Sequence, residues 1–290
     1  MVDRLVVIGA SHAGCRLAFA AREEGFEGEV VLIGAETAPP YQRPPLSKGY
    51  LKGSVPLAAL RLKSDAAFAE ARITLRLGTT VTAIDRAAKE VVLAGGERLA
   101  YSKLALTTGA RVRRLSVPGA DLDGVLHMRA LADADALAVA AKAGRRAVVV
   151  GGGFIGLEAA ASLRGLGLDV AVIEAEPRLA PRVFPPRLSE WLRDLHEARG
   201  VTVRLGAQVV EVLGRDGRVA GVRLADGTKI SCDLVVVGIG VIPADDLARD
   251  SGLAVDRGVL VDASGLTVDP DVAAAGDCAR HPNPWAPRPG

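Results

Sequence analysis

Leu5-Val6-Val7-Ile8-Gly9-Ala10-Ser11-His12-Ala13-Gly14 stands near the start of the chain. A second stretch of the same build, Ala147-Val148-Val149-Val150-Gly151-Gly152-Gly153-Phe154-Ile155-Gly156, stands at its middle. Each is a short apolar run, a glycine-rich turn and the start of an alanine-rich helical stretch, followed by another apolar run. An acidic residue comes about 20 residues further on, Glu36 in the first unit and Glu174 in the second. This is the pattern of a βαβ unit that cradles an adenine dinucleotide. The first glycine lets the strand turn sharply, and the middle position must be tiny so that backbone N–H groups can approach a pyrophosphate. The last lets helix and strand pack closely, and the helix N-terminus favours negative charge. Gly151, Gly153 and Gly156 keep the pattern strictly; Gly9, Ser11 and Gly14 keep it with serine at the middle position, where its hydroxyl could meet a phosphate. The competing reading of either turn is an ordinary strand-to-helix connection. Two such units in one chain imply two dinucleotides, and the usual pair is a flavin and a nicotinamide.

The composition suits a two-domain enzyme. The chain has 290 residues, 49% of them hydrophobic and 24% charged. A net charge of +2 is too close to balance to suggest nucleic acid. No apolar run reaches the about 18 residues of a membrane span. The first strand begins by Leu5, which leaves no room for a signal peptide, so a cytoplasmic location is expected. Cys15, Cys232 and Cys278 lie far apart in sequence with no Cys-x-x-Cys, so neither a redox disulfide nor a metal site is expected. Each reads as a small buried apolar residue. Electrons would then leave a flavin directly rather than through a protein thiol.

Periodicity and turn residues place the other elements. A proline-rich loop, Ala38-Pro39-Pro40-Tyr41-Gln42-Arg43-Pro44-Pro45-Leu46-Ser47-Lys48, is expected to start a short helix at Pro45 that carries Lys48. Ser64 should cap a helix running to Ala71. Strands are expected at 73–77, 81–84, 91–93, 98–100 and 103–107, with Gly95-Gly96 as a hairpin turn. Helices are expected at 130–143, 154–166 and 185–199. A strand at 169–173 should complete the second βαβ unit, followed by strands at 201–204 and 234–237 and a meander at 208–213, 219–224 and 229–231. The chain should end with a strand at 272–275, then Gly276-Asp277-Cys278 and a loose tail from His281. The predicted fold is α/β, with two Rossmann-like dinucleotide-binding domains of the three-layer ββα type. The NAD domain (113–243) is inserted in a discontinuous FAD domain (1–112 and 244–290).

Arg43-Pro44-Pro45-Leu46-Ser47-Lys48, Thr108-Gly109-Ala110, the stretch 151–158, Gly238-Ile239-Gly240-Val241-Ile242-Pro243 and Gly276-Asp277-Cys278 resemble the FAD-dependent ferredoxin and rubredoxin reductases of bacterial oxygenase systems. The resemblance implies that FAD and NADH are the cofactors and that a ferredoxin or rubredoxin is the electron acceptor. It implies that Gly9, Ser11, His12, Ala13 and Gly14 cradle the FAD pyrophosphate. Glu36 would take the adenosine ribose, because Ala35 stands where the family often has an acid. Arg43, Lys48, Thr108 and Gly109 would lie along the FAD, Val81 would bracket the adenine through its backbone, and Asp277 would bond the ribitol. Gly151, Gly153, Phe154, Ile155, Gly156 and Gly240 would serve the nicotinamide dinucleotide. Lys48 and Glu158 would form the catalytic charge pair at the flavin's reactive edge; the rival for Glu158 is a helix-surface residue in a minor salt bridge. Glu174 would accept the ribose 2′-hydroxyl and repel a 2′-phosphate, favouring NADH, whereas Arg178 is either a solvated loop charge or a residue that could hold such a phosphate. Arg111, Arg113 and Arg114 could meet an acidic ferredoxin or simply be solvated. His12 reads as a phosphate neighbour, and Ala13 rules out a hydrolase nucleophile elbow. Members of that family continue beyond Gly276-Asp277-Cys278 into another α/β domain, which this chain is expected to lack. That leaves two alternatives open: an NADH oxidase or nitrite reductase flavin module, and a truncated, non-catalytic dinucleotide-binding module.

Overall fold

Valine, isoleucine, leucine and one alanine fill 5–8, 30–33 and 104–106 with no polar interruption. Such runs suit parallel strands covered on both faces. The computed structural model, which describes residues 3–283, shows that arrangement twice. The chain divides into two compact units. One gathers the chain up to Gln42, Leu60–Arg111 and the chain from Ile242 on; the other gathers Arg43–Ala59 and Val112–Val241.

In the first unit a parallel sheet runs in the order Val272–Ala274, Lys103–Leu106, Arg4–Ile8, Glu29–Ile33, Ile73–Arg76. Alternation along each strand decides what covers each face. Leu5, Val7, Val30 and Leu32 point to the helix His12–Glu23 and bury its Cys15 and Ala18. Val6, Ile8, Val31 and Ile33 point the other way, onto Val91 and Leu93. Those two residues belong to an antiparallel sheet of Val81–Asp85, Glu90–Leu93 and Arg98–Ala100.

The second unit repeats the plan. Its parallel sheet runs Val201–Arg204, Asp169–Ile173, Arg146–Val150, Leu234–Val237, Val125–Leu126. The helix Phe154–Gly165 buries Leu157, Ala160 and Leu163. Val148, Val150, Val235 and Val237 face Val212, Val222 and Leu224 of the antiparallel meander Val209–Arg215, Arg218–Leu224, Lys229–Ser231. Both units are therefore of the three-layer ββα type.

Ser64 caps the helix Asp65–Glu70, its hydroxyl accepting from the Ala67 N–H at 3.1 Å. The segment after Arg43 differs from expectation. It forms a single 3₁₀ turn, Pro44–Ser47, and Lys48 follows it rather than lying inside. The backbone of Lys48 leaves helical geometry (φ −125°, ψ −107°), and this ends the turn. The edge strand Val125–Leu126 escapes pattern reading because it is too short to show a period. The expected loose tail lies, from residue 284 on, outside the described residues. Among the described residues no helix is long and apolar enough to cross a membrane.

Candidate functional site

The two glycine turns show which glycines the fold itself demands. Gly151 has φ +108°, and a Cβ there would come within 2.5 Å of the Gly238 carbonyl oxygen. Gly156, on the first turn of the helix, has its α-carbon against the Gly151 carbonyl oxygen, where any Cβ would collide. Gly153 is different: nothing lies within 4 Å of a Cβ built on it. The packing therefore requires glycine at the outer positions and leaves space at the middle one. That space lies at the N-terminus of a helix, where first-turn N–H groups lack intrahelical acceptors. The residues fit a pyrophosphate. In the first unit Gly9 (φ +117°) and Gly14 repeat the two outer positions, with Ser11 between them as N-cap of the helix whose first residues are His12 and Ala13.

Thr107 was not among the candidate site residues, yet it secures this first turn. It is 3% exposed, and its hydroxyl lies 3.0 Å from both the Ile8 and Gly9 carbonyl oxygens. A hydroxyl at the end of an otherwise apolar strand was the available signal. Gly276 abuts the same turn, since a Cβ on it would lie 2.9 Å from that of Ala13. This places the exposed Asp277, in the turn Gly276–Cys278, beside the first glycine loop. The Thr108 hydroxyl donates to the Ala244 carbonyl at 2.6 Å, and Gly109 takes φ +72°. Val81 is buried at the head of its strand, opposite Leu93.

The two acidic residues sit at the ends of the second strands. Glu174 accepts from the Gly152 N–H at 2.5 Å with one oxygen and from the Glu176 N–H at 2.8 Å with the other. A carboxylate has about four lone-pair positions, so acceptor capacity remains for a diol. Glu36 accepts from the Tyr41 hydroxyl at 2.5 Å. Arg178 turns away from anion duty: its guanidinium donates to the carbonyls of Pro181 (2.9 Å) and Phe184 and to the Ser189 hydroxyl (3.1 Å). Phe154 stands half-exposed at the helix start, edge-on to Phe184 with ring centroids 5.3 Å apart. Ile155 is part-buried beside it. Gly240 has φ +103°, and its carbonyl accepts the Arg113 N–H at 2.9 Å. Arg111 pairs with Asp246.

Lys48 and Glu158 come together. Lys48 Nζ lies 2.6 Å from Glu158 Oε2 and donates to the Pro44 carbonyl at 3.0 Å. Their side chains are 47% and 33% exposed. Ser47, which was not a candidate, donates its hydroxyl to the same Glu158 oxygen at 2.7 Å. Arg43 donates to the Arg129 carbonyl at 2.8 Å.

All three cysteines are free and buried. Burial pushes the Cys15 thiol upward against the opposing charge of Lys63, and pushes Cys232 up to about 12. Protonated thiols of this kind are poor nucleophiles.

A family model for pyridine nucleotide-disulphide oxidoreductases matches residues 3–287. The probable ferredoxin reductase CtmF of Castellaniella defragrans is 42% identical over 282 residues, covering 97% of this chain and 69% of that protein. The rubredoxin-NAD(+) reductase of Ectopseudomonas oleovorans is 41% identical over 281 residues, 97% of this chain and 73% of its own length. The reductase in the covalent putidaredoxin reductase–putidaredoxin complex superposes with a TM-score of 0.96 at 38% identity, covering 99% of this chain and 70% of that one.

Proposed function

We propose, from the premise that this chain belongs to the pyridine nucleotide-disulphide oxidoreductase family, that it is an FAD-dependent reductase passing electrons from NADH to a ferredoxin or rubredoxin. The observation that carries this reading is a pair of phosphate cradles in one chain, each with its acidic residue about 20 positions on. Bound FAD supplies the chemistry, accepting a hydride from NADH and releasing electrons singly.

The chain's residues divide the work. Gly9, Ser11, His12, Ala13 and Gly14 hold the FAD pyrophosphate, Glu36 the adenosine ribose, and Val81 the adenine. Arg43, Lys48, Thr108, Gly109 and Asp277 serve the rest of the FAD. Gly151, Gly153, Phe154, Ile155, Gly156 and Gly240 hold the nicotinamide dinucleotide. In domain terms, 1–112 with 244–290 bind FAD and 113–243 bind NADH, while Arg43–Ala59, inside the first range, clusters with the second unit. The Lys48 ammonium stabilises electron density on the flavin ring, and Glu158 keeps that ammonium in place. NADH is preferred over NADPH: Glu174 repels a 2′-phosphate, and Arg178 is engaged with its own loop. The free, buried thiols suit a reducing cytoplasm.

The acceptor is tested by loading the chain with FAD and supplying NADH. Reduction of a ferredoxin or rubredoxin is expected to outpace oxygen consumption by about tenfold or more, a difference of roughly 1.4 kcal/mol in barrier. Oxygen consumption as the faster reaction would instead identify an oxidase.

A further inference from the structure

Ser47 and Ser162 are two of the few buried hydroxyl residues, 4% and 5% exposed. Glu158 and Ser162 are four residues apart on the helix Phe154–Gly165 and so share a face. The Ser162 hydroxyl donates to the Ser47 carbonyl at 2.6 Å, and the Ser47 hydroxyl donates to Glu158 Oε2 at 2.7 Å. Ser47 thus engages two residues of one helix face, with its backbone carbonyl and with its side chain. Its hydroxyl has one proton. The Pro44 carbonyl, at 3.4 Å, is the longer contact, so the proton belongs to Glu158. Lys48, the next residue, reaches the same carboxylate oxygen at 2.6 Å.

We propose that Ser47 and Ser162 are positioning residues that fix the Lys48–Glu158 pair from its buried side. An ion pair as exposed as this one holds itself only weakly, because water competes for both charges. The serine clamp changes that. Ser162 anchors the 3₁₀ turn Pro44–Ser47 to the helix, and Ser47 sets the direction of the Glu158 carboxylate. The ammonium of Lys48 is then placed by a hydrogen-bonded base rather than by its own flexible stem. This inference rests on the proposed action of Lys48 on the flavin.

Anaerobic stopped-flow reduction of the FAD-loaded chain by NADH tests it. Ser47→Ala is expected to slow reduction about tenfold, the order expected for losing one hydrogen bond to a charged group. The NADH concentration giving half the maximal rate should change less than about twofold, and Ser47→Thr, which keeps the hydroxyl, should restore the rate. In a Glu158→Gln background, Ser47→Ala should add less than about twofold, because both changes act on one network. Equal slowing by Ser47→Ala in both backgrounds would overturn the positioning role and leave a packing role only. Should Ser47→Thr fail to fold, this cycle still decides.

A second measurement needs no flavin. Ser162→Ala should raise hydrogen exchange at the amides of Leu46, Lys48 and Tyr50, which donate to Arg43 and Pro45, by about tenfold. Unchanged exchange overturns the clamp whatever the flavin does. If exchange rises but Glu158→Gln leaves the reduction rate unaltered, the clamp stands as structure. The catalytic reading on which its positioning role rests has then failed.

Discussion

Alanine at Gly156 is expected to destabilise the second unit strongly, whereas alanine at Gly153 should leave the fold and weaken the nucleotide site. The two positions are three residues apart in one turn, yet they face different demands. A Cβ at 156 would collide with the Gly151 carbonyl oxygen and come 3.3 Å from Val149 Cγ1. The helix cannot retreat in register, because Gly238 is packed against the Gly156 α-carbon, where its own Cβ would lie 3.2 Å away. Overpacking of this sort costs about 1–3 kcal/mol even where side chains can adjust, and here the obstacle is backbone. Against a total stability of about 5–15 kcal/mol the loss is large. Gly153 has φ −82° and open space, so alanine there loses only helix-cap preference, about 1 kcal/mol or less. Its methyl would occupy the space assigned to the pyrophosphate, and NADH affinity should fall at least about tenfold, roughly 1.4 kcal/mol. Thermal melts and NADH titrations of both variants check this. Unchanged NADH affinity in Gly153→Ala would mean that the open space at 153 has no ligand role.

The second large effect is expected at Glu174. Replacing it by alanine should raise the KM for NADH by about 100-fold and lower the NADH-over-NADPH preference by a similar factor, since a site built to bond a hydroxyl discriminates strongly. Two effects combine: the ribose loses its acceptor, and the buried Gly152 N–H loses its own, at about 1–3 kcal/mol for a group left buried and unpaired. Glutamine keeps one acceptor oxygen and should fall midway. Arg178→Ala should leave the cofactor preference unchanged, because its guanidinium holds the Pro181 and Phe184 carbonyls. Steady-state kinetics with both nucleotides separates these cases. A preference that follows Arg178 rather than Glu174 would contradict the assignment.

Much of this molecule was legible in its sequence because the deciding features are local. Apolar runs at 5–8 and 147–150 form parallel strands wherever helices can cover them, and the glycines that follow permit one kind of turn. The mostly apolar runs at 91–93 and 219–224, with a turn such as Gly95-Gly96 beside the first, likewise marked the antiparallel layers. What escaped was set by contacts distant in sequence. Ser47 became part of the site only when its loop packed against a helix more than a hundred residues later. Nothing in Pro44-Pro45-Leu46-Ser47 announces that partner. Thr107 is similar, since its role depends on two carbonyls at the far end of the chain's first strand. For Arg178 the sequence left a phosphate role open beside a solvated loop charge, because charge is visible in sequence and the direction of a side chain is not. The Pro44–Ser47 turn is short because the chain leaves helical geometry at Lys48, which nothing in the motif announces.

In the proposed function one chain holds both nucleotides and moves a hydride from NADH to FAD. The most direct measurement is the absorption spectrum of the FAD-loaded chain, before and after anaerobic addition of NADH. A yellow protein is expected, with flavin retained through gel filtration, that bleaches on adding NADH and bleaches far more slowly in Glu158→Gln. A chain that remains colourless after incubation with FAD, or a yellow one that NADH leaves unbleached, would contradict it.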